Sequence, residues 1–186
     1  MDIAQSKRKE NIAEYILYLW QLEDILRALQ FSPEAIYSQL VSPRVGDDEQ
    51  RKQDIFLWYM ELTNLLREEG KEQVGHLNHT LHLINDLQDL HNRLMTLPVG
   101  ENYRKIYASA SIELPKLKEG LGKKEMGDIE ICFRALYAVV LYRIKGDESK
   151  QKDIEDVISL ISPLVAELAT IFKKAELGEI DLFKEE

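Results

Sequence analysis

The chain has one cysteine, Cys132, in 186 residues. No disulfide can form within it, which excludes a secreted fold stapled by disulfides and fits a compartment that keeps thiols reduced. Long apolar runs are missing as well. A bilayer span needs roughly 20 consecutive apolar residues, whereas the stretch from Ile16 to Leu22 is short and bracketed by Glu14, Glu23 and Asp24. No membrane partner is expected, and the expected location is the cytoplasm. Positive charge is scarce: 24 lysines and arginines face 33 aspartates and glutamates, a net charge of -9. That excess repels phosphate backbones and anionic headgroups at long range. The basic groups, Lys7-Arg8-Lys9 and Lys116, Lys118, Lys123 and Lys124, carry no interleaved aromatics and read as solvated helix ends. No nucleic-acid partner is expected.

Glycine and proline are few, 9 and 5, and they divide the chain into segments whose apolar residues recur at intervals of three and four, the helical period. A first helix is expected over about Ser6 to Gln30. Ser32-Pro33-Glu34 supplies an N-cap, a proline at the first helical position and an acidic first turn for a short helix to Val41. Asp47-Asp48 caps a long helix that stops at Gly70, and another is expected from Glu72 to Leu97. A helix from Asn102 should kink or split at Pro115. A further helix should run from Glu125 to a stop at Gly146, with Asp147 to Ser149 capping a last one over Lys150 to Lys174 that carries Pro163. The expected fold is all-α, a single-domain helical bundle of about five long helices with short accessory helices. The bundle is assigned to residues 1–175 and an acidic tail to 176–186.

Among chemistry-bearing residues, the histidines His76, His79, His82 and His91 fall close together, all within the helix expected from Glu72. His79, His82 and Asp86 share one stripe at spacings of three and four, which is geometry for a divalent metal. The same residue types are common at the wet margin of a helix, and no metal or cofactor is expected. Glu68-Glu69-Gly70-Lys71-Glu72 has the Glu-Glu-x-x-Glu spacing of helical nucleotide pyrophosphohydrolases, with Glu125-x-x-Asp128 echoing their second motif, but it straddles the Gly70 break. No phosphate-cradling glycine loop or serine nucleophile elbow occurs.

Charged residues that fall on apolar helix faces form a more informative set. Glu23 and Arg27 lie on the stripe of Ile12, Ile16, Leu19, Trp20 and Leu26. Glu69 lies on that of Trp58, Tyr59, Leu62, Leu65 and Leu66. His76 and His91 lie on that of Leu77, Leu83, Ile84, Leu87 and Leu94, and Arg143 among Ile129, Phe133, Leu136, Val140 and Ile144. Buried charges require partners, so Glu23, Arg27, Glu69, His76, His91 and Arg143 are the candidate ligand-binding set. The bland alternative for each is a helix end or a snorkelling side chain. Tyr15, Tyr18, Trp20, Trp58, Tyr59 and Cys132 read as core.

The ordered stretches Ile3-Ala4-Gln5, Lys7-Arg8-Lys9-Glu10-Asn11-Ile12-Ala13-Glu14-Tyr15, Trp20-Gln21-Leu22-Glu23-Asp24, Arg67-Glu68-Glu69-Gly70, Gly75-His76-Leu77, Asp86-Leu87 with Asp89-Leu90-His91, Ile129-Glu130, Cys132-Phe133 and Ala135-Leu136-Tyr137 resemble a family of small bacterial helical proteins known only as a domain of unknown function. That resemblance implies a bacterial, all-helical protein and carries over no catalytic residue. The first functional expectation is a non-enzymatic scaffold or protein-interaction module, a homodimer or the partner of another protein. The alternative is a small-ligand-binding protein or a metal-dependent enzyme using the polar set.

Overall fold

The computed structural model describes residues 2–43, 46, 48–145, 151–180 and 182. Among these residues the protein is all-α: α1 (Asp2–Glu10), α2 (Ile12–Ala28), α3 (Pro33–Ile36) continued by a π-turn (Tyr37–Val41), α4 (Glu49–Glu68), α5 (Asn78–Leu94), a 3-10 turn (Pro98–Gly100), α6 (Glu101–Ser111), α7 (Leu114–Gly120), α8 (Asp128–Lys145) and α9 (Gln151–Glu176). Five of them, α2, α4, α5, α8 and α9, are at least 17 residues long, matching the expected number of long helices. The expected stop at Gly146 and the cap at Asp147 to Ser149 lie outside the described residues.

Local chemistry explains the boundaries. Ser32 Oγ accepts the Ala35 N–H and Asp48 Oδ1 accepts the Arg51 N–H, so both expected caps hold α3 and α4. The first expected helix is broken at Asn11, whose side-chain oxygen accepts the Ala13 N–H and starts α2 afresh. Pro115 sits in the first turn of α7, where it removes no helical hydrogen bond, and the expected split falls just before it. Residues 72–77, expected to be helical, are not: Gly70 at φ 66° lets the Lys71 N–H turn back to Leu66 O, which ends α4, and the chain re-enters a helix only at Asn78. His76 therefore precedes α5 rather than lying on it. The end of α2 closes in the same manner, with Phe31 N–H on Leu26 O and Gln30 N–H on Arg27 O, but with Gln30 and Phe31 themselves at positive φ. Burial of the Phe31 ring offsets a strain of about 1 kcal/mol per residue.

The chain groups into two compact units, Met1–Arg8 with Glu14–His82, and Lys9–Ala13 with Leu83–Glu186. In the first, Leu19, Leu22 and Leu26 of α2 join Ile36, Leu40 and Val41 and the α4 residues Tyr59, Leu62 and Leu66 in one core, with Tyr15, Tyr18 and Trp58 packed on it. Those aromatics are core residues, as expected. In the second, α9 packs on α6 and α8, and α7 on α6 and α8. Ile161, Leu164, Val165, Leu168 and Ile171 are the buried stripe of α9, and Cys132 is buried on α8.

Candidate functional site

Each unit carries its own polar cluster. In the first, Trp20, Glu23 and Arg27 recur at three and four residues along α2 and so share a face. Glu23 is only 1% exposed. Its Oε1 accepts the Leu77 N–H at 3.2 Å and its Oε2 lies 2.8 Å from His76 Nδ1. A carboxylate only accepts, so the imidazole proton sits on Nδ1. The His76 ring stacks on Trp20 at 3.8 Å and 8°, and the indole N–H of Trp20 donates to Thr80 Oγ1. Arg27 donates to Lys71 O at 3.0 Å, to Gly75 O at 2.5 Å and to Asp24 at 2.7 Å, with Glu23 3.8 Å away. The non-helical segment 71–77 thus has backbone groups without helical partners, and side chains of α2 supply them. Glu69 Oε2 accepts the Asn78 N–H at 2.7 Å, capping the start of α5.

The expected polar set is therefore divided. Glu23, Arg27 and His76 converge, and Glu69 acts as a cap nearby in sequence. His91 and Arg143 belong to the second unit. Arg143 is exposed, as are its neighbours Tyr142 and Ile144: the last turn of α8 keeps an apolar pattern without burying it, so the expectation that Arg143 occupies a buried apolar arc is corrected. In the histidine stripe, His79 is half-buried, and burial lowers its pKa against the pull of Glu23 and Glu69. His82 and Asp86 are exposed. Among the described residues, no group of three His, Cys, Asp or Glu side chains is placed to hold a metal ion.

The second cluster is built on a fixed corner. Arg104 donates to Leu94 O and Leu97 O, each at 2.7 Å, closing the end of α5 against the start of α6. Gly100 lies so close to this turn that a Cβ there would stand 1.9 Å from Leu94 O. The corner brings His91 of α5 to Tyr103 of α6, whose hydroxyl shares a 2.7 Å hydrogen bond with His91 Nδ1. One turn further along α6, Tyr107 donates to Asp128 Oδ2 at 2.5 Å. Asp128 is the first residue of α8, a helix start fixed by Gln88, whose Oε1 accepts the Ile129 N–H at 3.1 Å. Lys118 of α7 completes the set at 2.7 Å from Asp128 Oδ1.

Lys118 and Asp128 retain 22% and 24% of their side-chain exposure, and both face a cavity of about 370 Å³ lined also by Ser111, Leu114, Pro115, Glu119 and Lys124. The titratable groups behind it are locked in one protonation state. Burial pushes the Cys132 thiol up to about 12. Burial, and then the hydrogen bond to Asp128, push Tyr107 up to about 12, and burial raises Tyr103 further. Burial lowers His91 and keeps it neutral. Burial works to raise Asp128 as well, but Lys118 and Tyr107 together hold it below its ordinary value, so it is ionised. Near neutral pH the cluster offers fixed donors and acceptors, no thiolate and no phenolate. Tyr103, Tyr107, Lys118 and Asp128 were not among the expected site residues. Lys118 stands out in the sequence only within a basic group that reads as solvated helix ends and Asp128 only in the Glu125-x-x-Asp128 spacing, while the two tyrosines are marked by nothing but their spacing of four on one short helix.

The chain belongs to the family described as a domain of unknown function, DUF4924, whose model matches residues 1–179. No curated protein and no solved structure matches it significantly.

Proposed function

We propose that the protein binds a small polar molecule, without transforming it, in the cavity walled by Lys118 and Asp128. The observation that carries this reading is the Lys118–Asp128 pair on the cavity wall, with Asp128 held from behind by Tyr107. A wall with a fixed donor and a fixed acceptor beside the apolar Leu114 and Pro115 is the usual make-up of a ligand pocket. At about 370 Å³ the cavity lies at the small end of such sites, so the ligand is a metabolite rather than a dinucleotide or a peptide. Locked protonation states behind the wall favour binding over acid–base or nucleophilic catalysis.

The test is a collection of small metabolites titrated into the isotope-labelled full chain and followed by amide resonances. Binders should move the resonances of residues 111–128, and Asp128→Asn should weaken them. A collection that moves none of these resonances, together with a stable dimer of bare chains by sedimentation, would replace this reading with the scaffold or homodimer. The proposed setting is the cytoplasm of a bacterium. The resemblance of the ordered stretches to a bacterial family supports the organism and the lone buried Cys132 thiol the compartment, and fractionation of cells carrying the protein tests it.

A further inference from the structure

The charges around the cavity specify the ligand more closely. Among the described residues, four charged side chains line it, Lys118 and Lys124 against Glu119 and Asp128. With two of each sign, a simple anion or a simple cation meets as much repulsion as attraction, whereas a dipolar molecule gains from both signs at once. Neither member of the central pair is used up by the other. The Lys118 ammonium has three N–H donors and gives one to Asp128 Oδ1, and each oxygen of Asp128 has two lone pairs, of which Tyr107 takes one on Oδ2 and Lys118 one on Oδ1. Leu114 and Pro115 add an apolar wall beside these groups.

We infer that the ligand is a small zwitterion of the α-amino-acid class, its carboxylate on Lys118 and Lys124, its ammonium on Asp128 and Glu119, and its side chain against Leu114 and Pro115. This inference rests on the ligand-binding reading above. No rearrangement of the Lys118–Asp128–Tyr107 set is required, because the ammonium keeps two N–H donors and each Asp128 oxygen keeps a lone pair beyond the bonds within the set.

The test uses the full chain and each common α-amino acid as a probe, followed by the amide resonances of residues 111–128. The best binder is then compared with its N-acetyl form, which keeps only the carboxylate, and its carboxamide, which keeps only the ammonium. Each blocked form should bind about tenfold more weakly or worse, the loss of one charge-assisted hydrogen bond at a partly exposed site. Lys124→Met, a substitution on the exposed rim, should weaken the amino acid about tenfold while leaving its carboxamide nearly unaffected. If a blocked form binds as tightly as the free amino acid, or if no amino acid moves these resonances while some singly charged or neutral metabolite does, the zwitterion inference is wrong and the ligand-binding reading stands. If nothing occupies the cavity, both fall.

Discussion

Removing the carboxylate of Glu23 probes the polar cluster of the first unit. Glu23→Ala leaves the Leu77 N–H, buried beside α2, without its 3.2 Å acceptor, and His76 without the acceptor 2.8 Å away. An orphaned buried N–H costs roughly 1–3 kcal/mol, and a hydrogen bond to a charged group is worth roughly 1.5–3 kcal/mol. The guanidinium of Arg27 keeps Asp24 and two backbone carbonyls, so it adds little to the loss. The expected destabilisation is about 4 kcal/mol, a large share of the stability of a domain this size. Glu23→Gln keeps an acceptor for the Leu77 N–H and gives up only the charge, so about 1–2 kcal/mol should be lost. Urea unfolding followed by circular dichroism measures both. Hydrogen exchange at Leu77 gives a local readout that does not depend on unfolding being all-or-none. The reasoning is refuted if Glu23→Ala costs less than about 1 kcal/mol, or if Leu77 exchange is unchanged in it.

Thr63 lies fully buried on α4, and no partner for its Oγ1 is found among the described residues. Thr63→Val, of nearly the same shape, should therefore raise stability by about 1 kcal/mol in the same denaturation assay. Gly100→Ala should cost about 3 kcal/mol or abolish folding, because φ at this position is ordinary and the obstacle is the Leu94 carbonyl, backbone that cannot swing aside. The acid dependence has a definite sign. Burial depresses the imidazoles of both His79 and His91 below their ordinary value of 6.5 in the folded state. The unfolded chain therefore binds protons first as the pH falls, and the contribution of these two groups is complete above pH 6.5 and lost below it. Denaturation between about pH 7 and pH 5.5 should show stability falling in the wild type and falling less in the His79→Gln, His91→Gln double variant.

The fold was legible in the sequence wherever a boundary is made by a residue with its own capping chemistry. Ser32-Pro33, Asp48 and Gly70 each act on the adjacent backbone, and each ends or starts a helix where the pattern of residue types says it should. The misreadings arise where tertiary partners decide. Residues 71–77 carry no strong breaker apart from Gly75, yet they leave the helix, and Glu23 and Arg27 compete with helical partners for Lys71 O, Gly75 O and the Leu77 N–H. Nothing local to residues 71–77 encodes that competition; half of it is written on α2, some 50 residues earlier in the sequence. Asn11 is the converse case, a local cap inside an otherwise continuous helical pattern, where the apolar periodicity on either side concealed the break.

The polar clusters divide along the same line. A search for charges on apolar faces picks out Glu23, Arg27 and His76, and in the second unit His91, because a buried charge violates the helical pattern that surrounds it. Such a search is blind to Lys118 and Asp128, which stand at helix margins where charge is ordinary, and to Tyr103 and Tyr107, which count as apolar. Lys118 and Asp128 differ from ordinary surface residues only in what meets them in space: a phenol behind the carboxylate, an ammonium beside it and an open cavity in front. Glu23, Arg27 and His76 violate the sequence pattern, and together they hold a loop in place. Lys118 and Asp128, which do not violate it, line the cavity. In this chain, pattern violation marks internal support, and the place to look for binding is where ordinary helix-end charges converge on a cavity.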